Sequence, residues 1–249
     1  MHAEGTQRQH YNRIAAEYEA QYGDVDGVTY REEFLYRPMF AGLDLEGRSV
    51  LEALSGSGHA TGYLLRDKKA LVTGLDISEE AIASFKTRWP ACQAICSSIT
   101  ASGLPDESFD CIVVVMGLHH LQPHLSDVLS EIHRLLRKGG VFCFAEPHRE
   151  SAFSRLRAIW YRHDSLFADN EESLDIEPLK RECEGLFEFR VEKYVGSVAY
   201  LLVLNSMIFR VPLWLKRMYS PALMCLEKML AGFHSRRFSL AIICQWKRK

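Results

Sequence analysis

Between residues 49 and 146, short and mainly apolar runs alternate with amphipathic segments. The apolar runs occupy residues 49–54, 71–76, 93–97, 111–117 and 141–146. Because their apolar residues are continuous and do not alternate with polar ones, these runs predict strands that are buried on both faces of a sheet. Helix-like segments lie between several of the runs, and a helix that connects two such strands makes them parallel. The pattern therefore predicts an α/β fold with a doubly wound, mainly parallel sheet.

The segments on either side of this core predict further helices and strands. Residues 7–22 and 29–42 have helical spacing and are rich in tyrosine. Residues 187–195 and 236–246 are expected to add strands, so that the sheet has seven, and a long apolar stretch at 198–215 lies between them. We find no internal repeat and no low-complexity linker. The sequence predicts a single domain, with these parts: an N-terminal helical cap (1–46), a cofactor-binding core (47–147), and a substrate-side part (148–249) that contains a lid-like helical insertion (197–235).

Charge and hydropathy restrict the partners of the chain. The formal net charge is −2, whereas a nucleic-acid-binding domain is expected to carry a strongly basic face. We therefore expect no nucleic acid as partner. The N-terminus lacks an apolar stretch of signal-peptide length, which predicts a cytoplasmic protein. The stretch 198–215 has nearly the length of a membrane span, but Arg210 and Pro212 interrupt it. We expect no transmembrane span, and a peripheral contact with a membrane through Arg210, Lys216, Arg217 and Trp214 stays open.

The segment VLEALSGSGHATG at 50–62 predicts a strand, a tight glycine turn and a helix. Gly56 and Gly58 allow a backbone with positive φ and the close approach of a ligand. Asp76 ends the second apolar run, where a carboxylate can accept the two vicinal hydroxyls of a ribose. These features suit any adenosine-bearing cofactor. A nicotinamide cofactor is disfavoured because Gly62 comes one position too late for the dinucleotide fingerprint, and because no Tyr-x-x-x-Lys pair follows the fourth strand.

Two further segments, 98–121 and 131–147, complete an ordered set of motifs that closely resembles the class I S-adenosylmethionine-dependent methyltransferases of the small-molecule "type 11" group. The resemblance covers roughly residues 8–147, including the tyrosine-bearing helix at 11–22. It implies S-adenosylmethionine as cofactor and S-adenosylhomocysteine as product. The matching positions are Gly56 and Gly58 in the turn, Asp76 at the acidic strand end, Leu104-Pro105 to Phe109-Asp110, His119-His120-Leu121, and Glu131 to Gly140.

The resemblance implies a role for each matched residue near the sugar and the methionyl group. Glu52 helps to order the glycine turn and the methionine amine. Backbone atoms of Gly56 and Gly58 approach the methionyl part, Asp76 binds the ribose, and Met116 lies beside the methionyl group.

On the adenine side, the resemblance places the base between Ile77 and Ile99, with its polar edge toward Ser98. The chain departs from the family at two positions. Most members have glycine where this chain has Leu54, and many have aspartate where it has Ser98. A serine hydroxyl can still accept one hydrogen bond.

The two regions outside the core are expected to cover the cofactor, because their apolar and aromatic surface must be buried somewhere. Tyr11 and Tyr18 are predicted to face the cofactor. Side chains from about Tyr200 to Trp214 are predicted to line an apolar acceptor pocket, which excludes water from the reacting centre.

Two histidines are candidates for a general base, since His119 and His148 follow strands at the carboxyl edge of the sheet, where open α/β sheets bind ligands. Methyl transfer does not require a base, however, because in-line positioning can supply most of the acceleration. We expect no metal site. His119 and His120, as neighbours at a strand end, should point in opposite directions.

The sequence thus predicts a methyltransferase that acts on O, N, C or S of a small-molecule, hydrophobic acceptor. Two alternatives stay open: a non-catalytic protein that binds adenosylmethionine, and, on weaker grounds, a nicotinamide-dependent oxidoreductase. The choice between monomer and homodimer is also open.

Overall fold

The computed structural model describes residues 23–149, 151 and 174–249. Within these ranges the chain forms one sheet, and its strands are β1 (Ser49–Ala53), β2 (Leu71–Asp76), β3 (Gln93–Cys96), β4 (Phe109–Val115), β5 (Leu136–Pro147), β6 (Phe187–Val195) and β7 (Ala241–Arg248). Their order is β3-β2-β1-β4-β5-β7-β6. The pairs β1–β2, β1–β4, β2–β3 and β4–β5 are parallel. The predicted seven-stranded, mainly parallel sheet is confirmed.

Helices precede the sheet and connect its strands. They are α1 (Val25–Tyr30), α2 (Thr61–Lys68), α3 (Glu79–Arg88), α4 (Leu125–Leu135), α5 (Ile176–Cys183) and α6 (Leu213–Leu230). α1 continues through a π-helical segment (Arg31–Tyr36) into a last turn (Arg37–Met39). Shorter 3₁₀ or π segments lie at Ile99–Ala101, Leu118–His124, Tyr200–Leu204, Ser206–Phe209 and Ala231–Phe233. The last three of these segments form, together with α6, the helical insertion predicted between β6 and β7.

Four of the predicted elements begin elsewhere than the sequence indicates. β4 begins at Phe109 in place of 111, and β7 begins at Ala241 in place of 236. The helix expected over 29–42 begins at Val25, because the Asp24 carboxylate accepts a hydrogen bond from the Gly27 amide and caps its first turn. β5 begins at Leu136, five residues before the predicted 141. Gly139 and Gly140 lie inside this strand. A Cβ on Gly140 would come within 3.0 Å of the Asp110 carbonyl oxygen, so glycine allows the close approach of β4.

The chain divides into two compact bodies. The core body comprises Met39–Glu146, Leu174–Glu192 and Ile243–Lys249. The helical body comprises Lys193–Ile242 and the described residues of 23–38 and 147–151. The centre of the core body is apolar: the residues of β4 from Cys111 to Val114 are fully buried, as is most of β5. In the described ranges, no helix combines the length and the hydropathy that crossing a bilayer requires.

Strand register brings three chain segments to one edge of the core body. Glu52 of β1 is aligned with Gly74 of β2 on one side and with Val113 of β4 on the other. Since the three strands are parallel, their carboxyl ends meet at the same edge. The glycine turn, Asp76 and the segment after Val115 therefore emerge there together, which is where ligands bind in open α/β sheets.

Candidate active site

The glycine turn after β1 is held in place by a tryptophan. Gly58 has a φ of +82°, and a Cβ on it would lie 2.5 Å from Nε1 of Trp89. The Trp89 indole donates to the carbonyl oxygens of Ser57 and Gly58, at 3.1 and 3.2 Å. Glycine at position 58 is thus required by the packing of the protein itself.

Gly56 has a different environment. Its φ is +53°, and a Cβ there would meet a single neighbour, the Cδ2 atom of His59, at 3.9 Å. The backbone of Gly56 therefore borders open space on the side where a side chain would be. Such a cradle suits a ligand that approaches the main chain closely, and the residues present fit the methionyl part of S-adenosylmethionine.

Asp76 joins the end of β2 to the glycine turn. Its Oδ2 accepts a hydrogen bond from the Gly56 amide at 2.9 Å, and its Oδ1 accepts one from the Ser78 amide at 2.9 Å. Burial raises the pKa of the Asp76 carboxyl, and the backbone hydrogen bonds oppose that rise. Because each carboxylate oxygen can accept more than one hydrogen bond, both retain capacity for ribose hydroxyls.

Glu52 is a buried carboxyl at the start of the turn. It accepts hydrogen bonds from the Ala60 amide at 2.8 Å and from the Thr61 hydroxyl, so it fixes the entry into α2. Burial raises the pKa of Glu52 to about 7, although these hydrogen bonds lower it in part. Its predicted contact with the methionine amine stays a prediction.

This raised pKa has a consequence for stability. The folded state binds a proton at Glu52 more tightly than the unfolded state, so ionisation of Glu52 destabilises the fold as the pH rises through about 7. Between pH 5 and pH 8 we expect this group to lower the free energy of unfolding by about 2–3 kcal/mol. Glu52→Gln should remove this dependence of the free energy of unfolding on pH, as measured by urea unfolding at several pH values. Glu182→Gln, at an exposed position, should retain it. Equal slopes in the two variants would contradict the assignment.

Leu54 and Met116 have unusual backbones at the ends of adjacent strands. Their φ angles are +52° and +54°, in the left-handed region that favours glycine. This explains why glycine suits position 54 in the family. The Leu54 side chain packs against Gly117, whose added Cβ would lie 3.2 Å from Leu54 Cδ2. Strained residues of this kind gather at functional sites.

On the predicted adenine side, Ile99 is buried and Ile77 is partly exposed. The Ser98 hydroxyl accepts a hydrogen bond from the Thr100 amide and lies 2.9 Å from the Thr100 hydroxyl. It thereby caps the short 3₁₀ segment that begins at Ile99. The roles of Ile77, Ser98 and Ile99 toward adenine stay predictions.

His119 is held by a buried glutamate that the sequence analysis did not identify. Its Nδ1 lies 2.7 Å from Oε2 of Glu146, near the end of β5. The same carboxylate accepts hydrogen bonds from the amides of Gly117 and Leu118, both at 2.8 Å. Glu146 thus fixes both the backbone after β4 and the imidazole ring. In the sequence, the signal that could have identified Glu146 was its position as an acidic residue at the end of the apolar run 141–146.

The expectation that His119 and His120 point in opposite directions is wrong. β4 ends at Val115, so both histidines lie in the 3₁₀ segment Leu118–His124 and not at a strand end. Their ring centroids are 3.9 Å apart. Even so, the part of the chain that the structure describes contains no group of three or more His, Cys, Asp or Glu side chains that could hold a metal ion.

His148 and the residues predicted to line the acceptor pocket do not belong to the core body. His148 is buried in the helical body, where its Nε2 lies 2.9 Å from the Arg236 carbonyl oxygen and its ring packs edge-on against Tyr194. Its role as a base stays a prediction, as does the acceptor pocket, but Trp214, at the end of the predicted lining, is exposed at 67%. Tyr11 and Tyr18 lie outside the described residues.

Comparison with known proteins agrees with this geometry. Residues 51–144 match the family model described as a methyltransferase domain. An uncharacterized methyltransferase of Synechocystis sp. is 36% identical over 108 residues, which cover 42% of this chain and 50% of the relative. The phthiotriol/phenolphthiotriol dimycocerosates methyltransferase of Mycobacterium tuberculosis is 35% identical over 123 residues (47% and 45%). A fatty-acid O-methyltransferase of Mycolicibacterium smegmatis is 32% identical over 115 residues (45% and 42%).

The chain spans half the length, or less, of these curated relatives. Solved structures match over more of it. A SAM-dependent methyltransferase of Thermotoga maritima has a TM-score of 0.64 at 18% identity, covering 97% of this chain and 99% of that one. A SAM-dependent methyltransferase of Archaeoglobus fulgidus has a TM-score of 0.62 at 18% identity (94% and 99%). These structures share the fold.

Proposed function

We propose that this chain is a class I S-adenosylmethionine-dependent methyltransferase of the type 11 group, as the match of residues 51–144 to a methyltransferase domain supports, and that it methylates a small, hydrophobic acceptor. The observation that carries the proposal is the carboxylate of Asp76, which is bonded to the Gly56 amide beside an open backbone cradle. A ribose acceptor and a methionyl cradle therefore lie side by side at the carboxyl edge of the sheet. The family's cofactor, S-adenosylmethionine, supplies an electrophilic methyl group on its sulfonium.

The chain's own residues position the reactants in this proposal. Asp76 binds the ribose, Glu52 holds the turn and faces the methionine amine, and the backbone of Gly56 borders the methionyl chain. Leu54 and Met116 provide apolar surface from adjacent strands. Because the sulfonium is already reactive, the main contribution of the protein is to hold the acceptor atom in line with the methyl group.

His119 is the residue we propose as proton acceptor. With the Glu146 carboxylate at Nδ1, the neutral ring carries its proton on Nδ1 and offers a lone pair on Nε2. A hydroxyl, carboxyl or amine acceptor that loses a proton during methyl transfer can pass it to that nitrogen. Glu146 acts as a positioning residue, since it sets the tautomer and the orientation of the ring.

Two observations support a hydrophobic acceptor. The helical body contains the long apolar stretch 198–215. Among the relatives, one is named for phthiotriol and phenolphthiotriol dimycocerosates and one for fatty acids. We propose an acceptor that joins a long apolar part to one hydroxyl or carboxyl group, and a cytoplasmic location in which the protein meets it.

Calorimetry and a transfer assay test the proposal. We expect S-adenosylmethionine and S-adenosylhomocysteine to bind with one site per chain, and NAD to release no heat of binding. With a tritiated methyl donor, label should enter a long-chain fatty acid or an alkylphenol, and a bare sugar should stay unlabelled. Binding of NAD alone would instead favour the oxidoreductase. Cofactor binding with no transfer to any apolar acceptor would favour the non-catalytic alternative.

A further inference from the structure

α6 has its polar and apolar residues on the opposite sides from an ordinary surface helix. Its fully buried residues are Lys216, Ser220 and Glu227. Its large apolar residues face outward, with Trp214 exposed at 67%, Met218 at 73% and Met229 at 71%. In a globular protein the apolar stripe of such a helix normally faces the core, so the outward stripe needs its own explanation.

The buried polar residues of α6 are all bonded within the helical body. The Lys216 ammonium lies 2.7 Å from Oδ1 of Asp24, and the Ser220 hydroxyl donates to the Lys216 carbonyl oxygen at 2.7 Å. Glu227 accepts hydrogen bonds from the amides of Ser197 and Ala199, at 2.7 and 2.9 Å. Buried charges are tolerated when they are paired in this way. These bonds fix the rotation of α6, and its apolar side is held outward.

The exposed apolar residues form a continuous stripe along α6. At about 100° per residue, the positions of Trp214, Met218, Cys225 and Met229 fall within about 60° of one another around the helix axis. An 18-residue helix is about 27 Å long. Phe233, exposed at 76%, extends the stripe past the end of the helix. We call these five residues the outer face of α6.

The exposed charges of the α6 segment itself have one sign, although Asp26 and Glu33 of the first helical segment lie near Arg217 and Lys228. From residue 210 to residue 238 the chain contains a single acidic residue, Glu227, and it is buried. The exposed charged residues of this segment are all basic: Arg210, Arg217, Lys228, Arg236 and Arg237. One of them, Lys228, also pairs with Glu33 at 2.9 Å. An apolar stripe with basic residues beside it complements an anionic lipid surface, where apolar side chains enter the acyl boundary and cations meet the headgroups.

We propose that the outer face of α6 docks on the surface of a bilayer that contains anionic lipids. The helix lies in the plane of the membrane, because its inner side is occupied by its own body. A second copy of the chain suits the same face less well, since a two-fold contact would place basic residues against basic residues. This docking is independent of the proposed methyl transfer, and it can be measured without cofactor or acceptor.

Flotation with vesicles tests the docking. The full chain is mixed with vesicles of phosphatidylcholine alone or with 30% phosphatidylglycerol. We expect partitioning onto the anionic vesicles that is at least tenfold stronger than onto the neutral ones and that weakens as salt is raised. The double variant Trp214→Glu, Met218→Glu should lose at least tenfold of that partitioning. Both positions are exposed, so the variant should keep the circular dichroism spectrum and melting temperature of the parent.

Leu71→Glu is the matched control, because Leu71 is an exposed apolar residue of β2 in the core body. It should partition like the parent chain. A charge variant, Arg217→Glu, should lose anionic selectivity while the weak neutral partitioning remains. The proposal is overturned if the parent chain does not float with anionic vesicles, or if the double variant floats equally well. It is also overturned if light scattering finds a dimer that the double variant dissociates while neither form binds vesicles.

Discussion

Asp76→Ala is expected to weaken the binding of S-adenosylmethionine by about 100-fold or more. The substitution removes a charged acceptor for the two ribose hydroxyls, and hydrogen bonds to a charged group contribute about 1.5–3 kcal/mol each. It also removes the acceptor of the Gly56 amide, so the turn that borders the methionyl group loses its tie to β2. Titration calorimetry with purified protein measures the loss directly.

Asp67→Ala is the matched control for this prediction. Asp67 is an exposed aspartate on α2 that pairs with its neighbour Arg66, and its removal should leave the dissociation constant unchanged. Asp76→Asn separates charge from turn geometry, since its amide oxygen can still accept one backbone hydrogen bond, and we expect an intermediate affinity. If folded Asp76→Ala binds the cofactor as tightly as the parent, the ribose site lies elsewhere.

The strands at the centre of the sheet could be predicted because their burial leaves a local signature. β2 has the bounds that the sequence predicts, 71–76, and β1, at Ser49–Ala53, ends one residue before the predicted 54. A short run of apolar residues that ends at a charged or small residue is typical of a strand that is buried on both faces. The position of Asp76 at a strand end followed directly from the bounds of β2.

Contacts between distant parts of the chain could not be predicted in this way. The role of Glu146 depends on the pairing of β4 with β5, which brings its carboxylate to amides 28 and 29 residues earlier. The inverted polarity of α6 depends on Asp24, which is 192 residues from Lys216. In both cases the local sequence pattern is ordinary. The residue that pairs with Glu146 or Lys216 comes close only in the tertiary structure.

The positive φ angles at Leu54 and Met116 were also invisible to sequence reasoning. A non-glycine residue in the left-handed region costs about 1–2 kcal/mol, so propensity argues against it. Leu54 and Met116 nevertheless adopt this conformation at the ends of two adjacent strands, next to the cradle at Gly56.

His119→Gln is expected to lower the rate of methyl transfer by about 100-fold, with the acceptor that the transfer assay identifies. Glutamine can still donate a hydrogen bond to Glu146, so the local structure and the affinity for S-adenosylmethionine should be retained. It has no basic nitrogen, however, and cannot take the proton of the acceptor. The loss should appear in kcat, while the dissociation constant of S-adenosylmethionine should stay that of the parent.

Glu146→Ala provides the contrast that distinguishes catalysis from structure. It leaves the buried amides of Gly117 and Leu118 without their acceptor, and an orphaned buried donor costs about 1–3 kcal/mol. We therefore expect Glu146→Ala to unfold at lower urea concentration, whereas His119→Gln should unfold like the parent. A His119→Gln variant with the parent's rate would mean that no base operates at this position. Methyl transfer would then depend on the positioning of the acceptor alone, as the reactivity of a sulfonium permits.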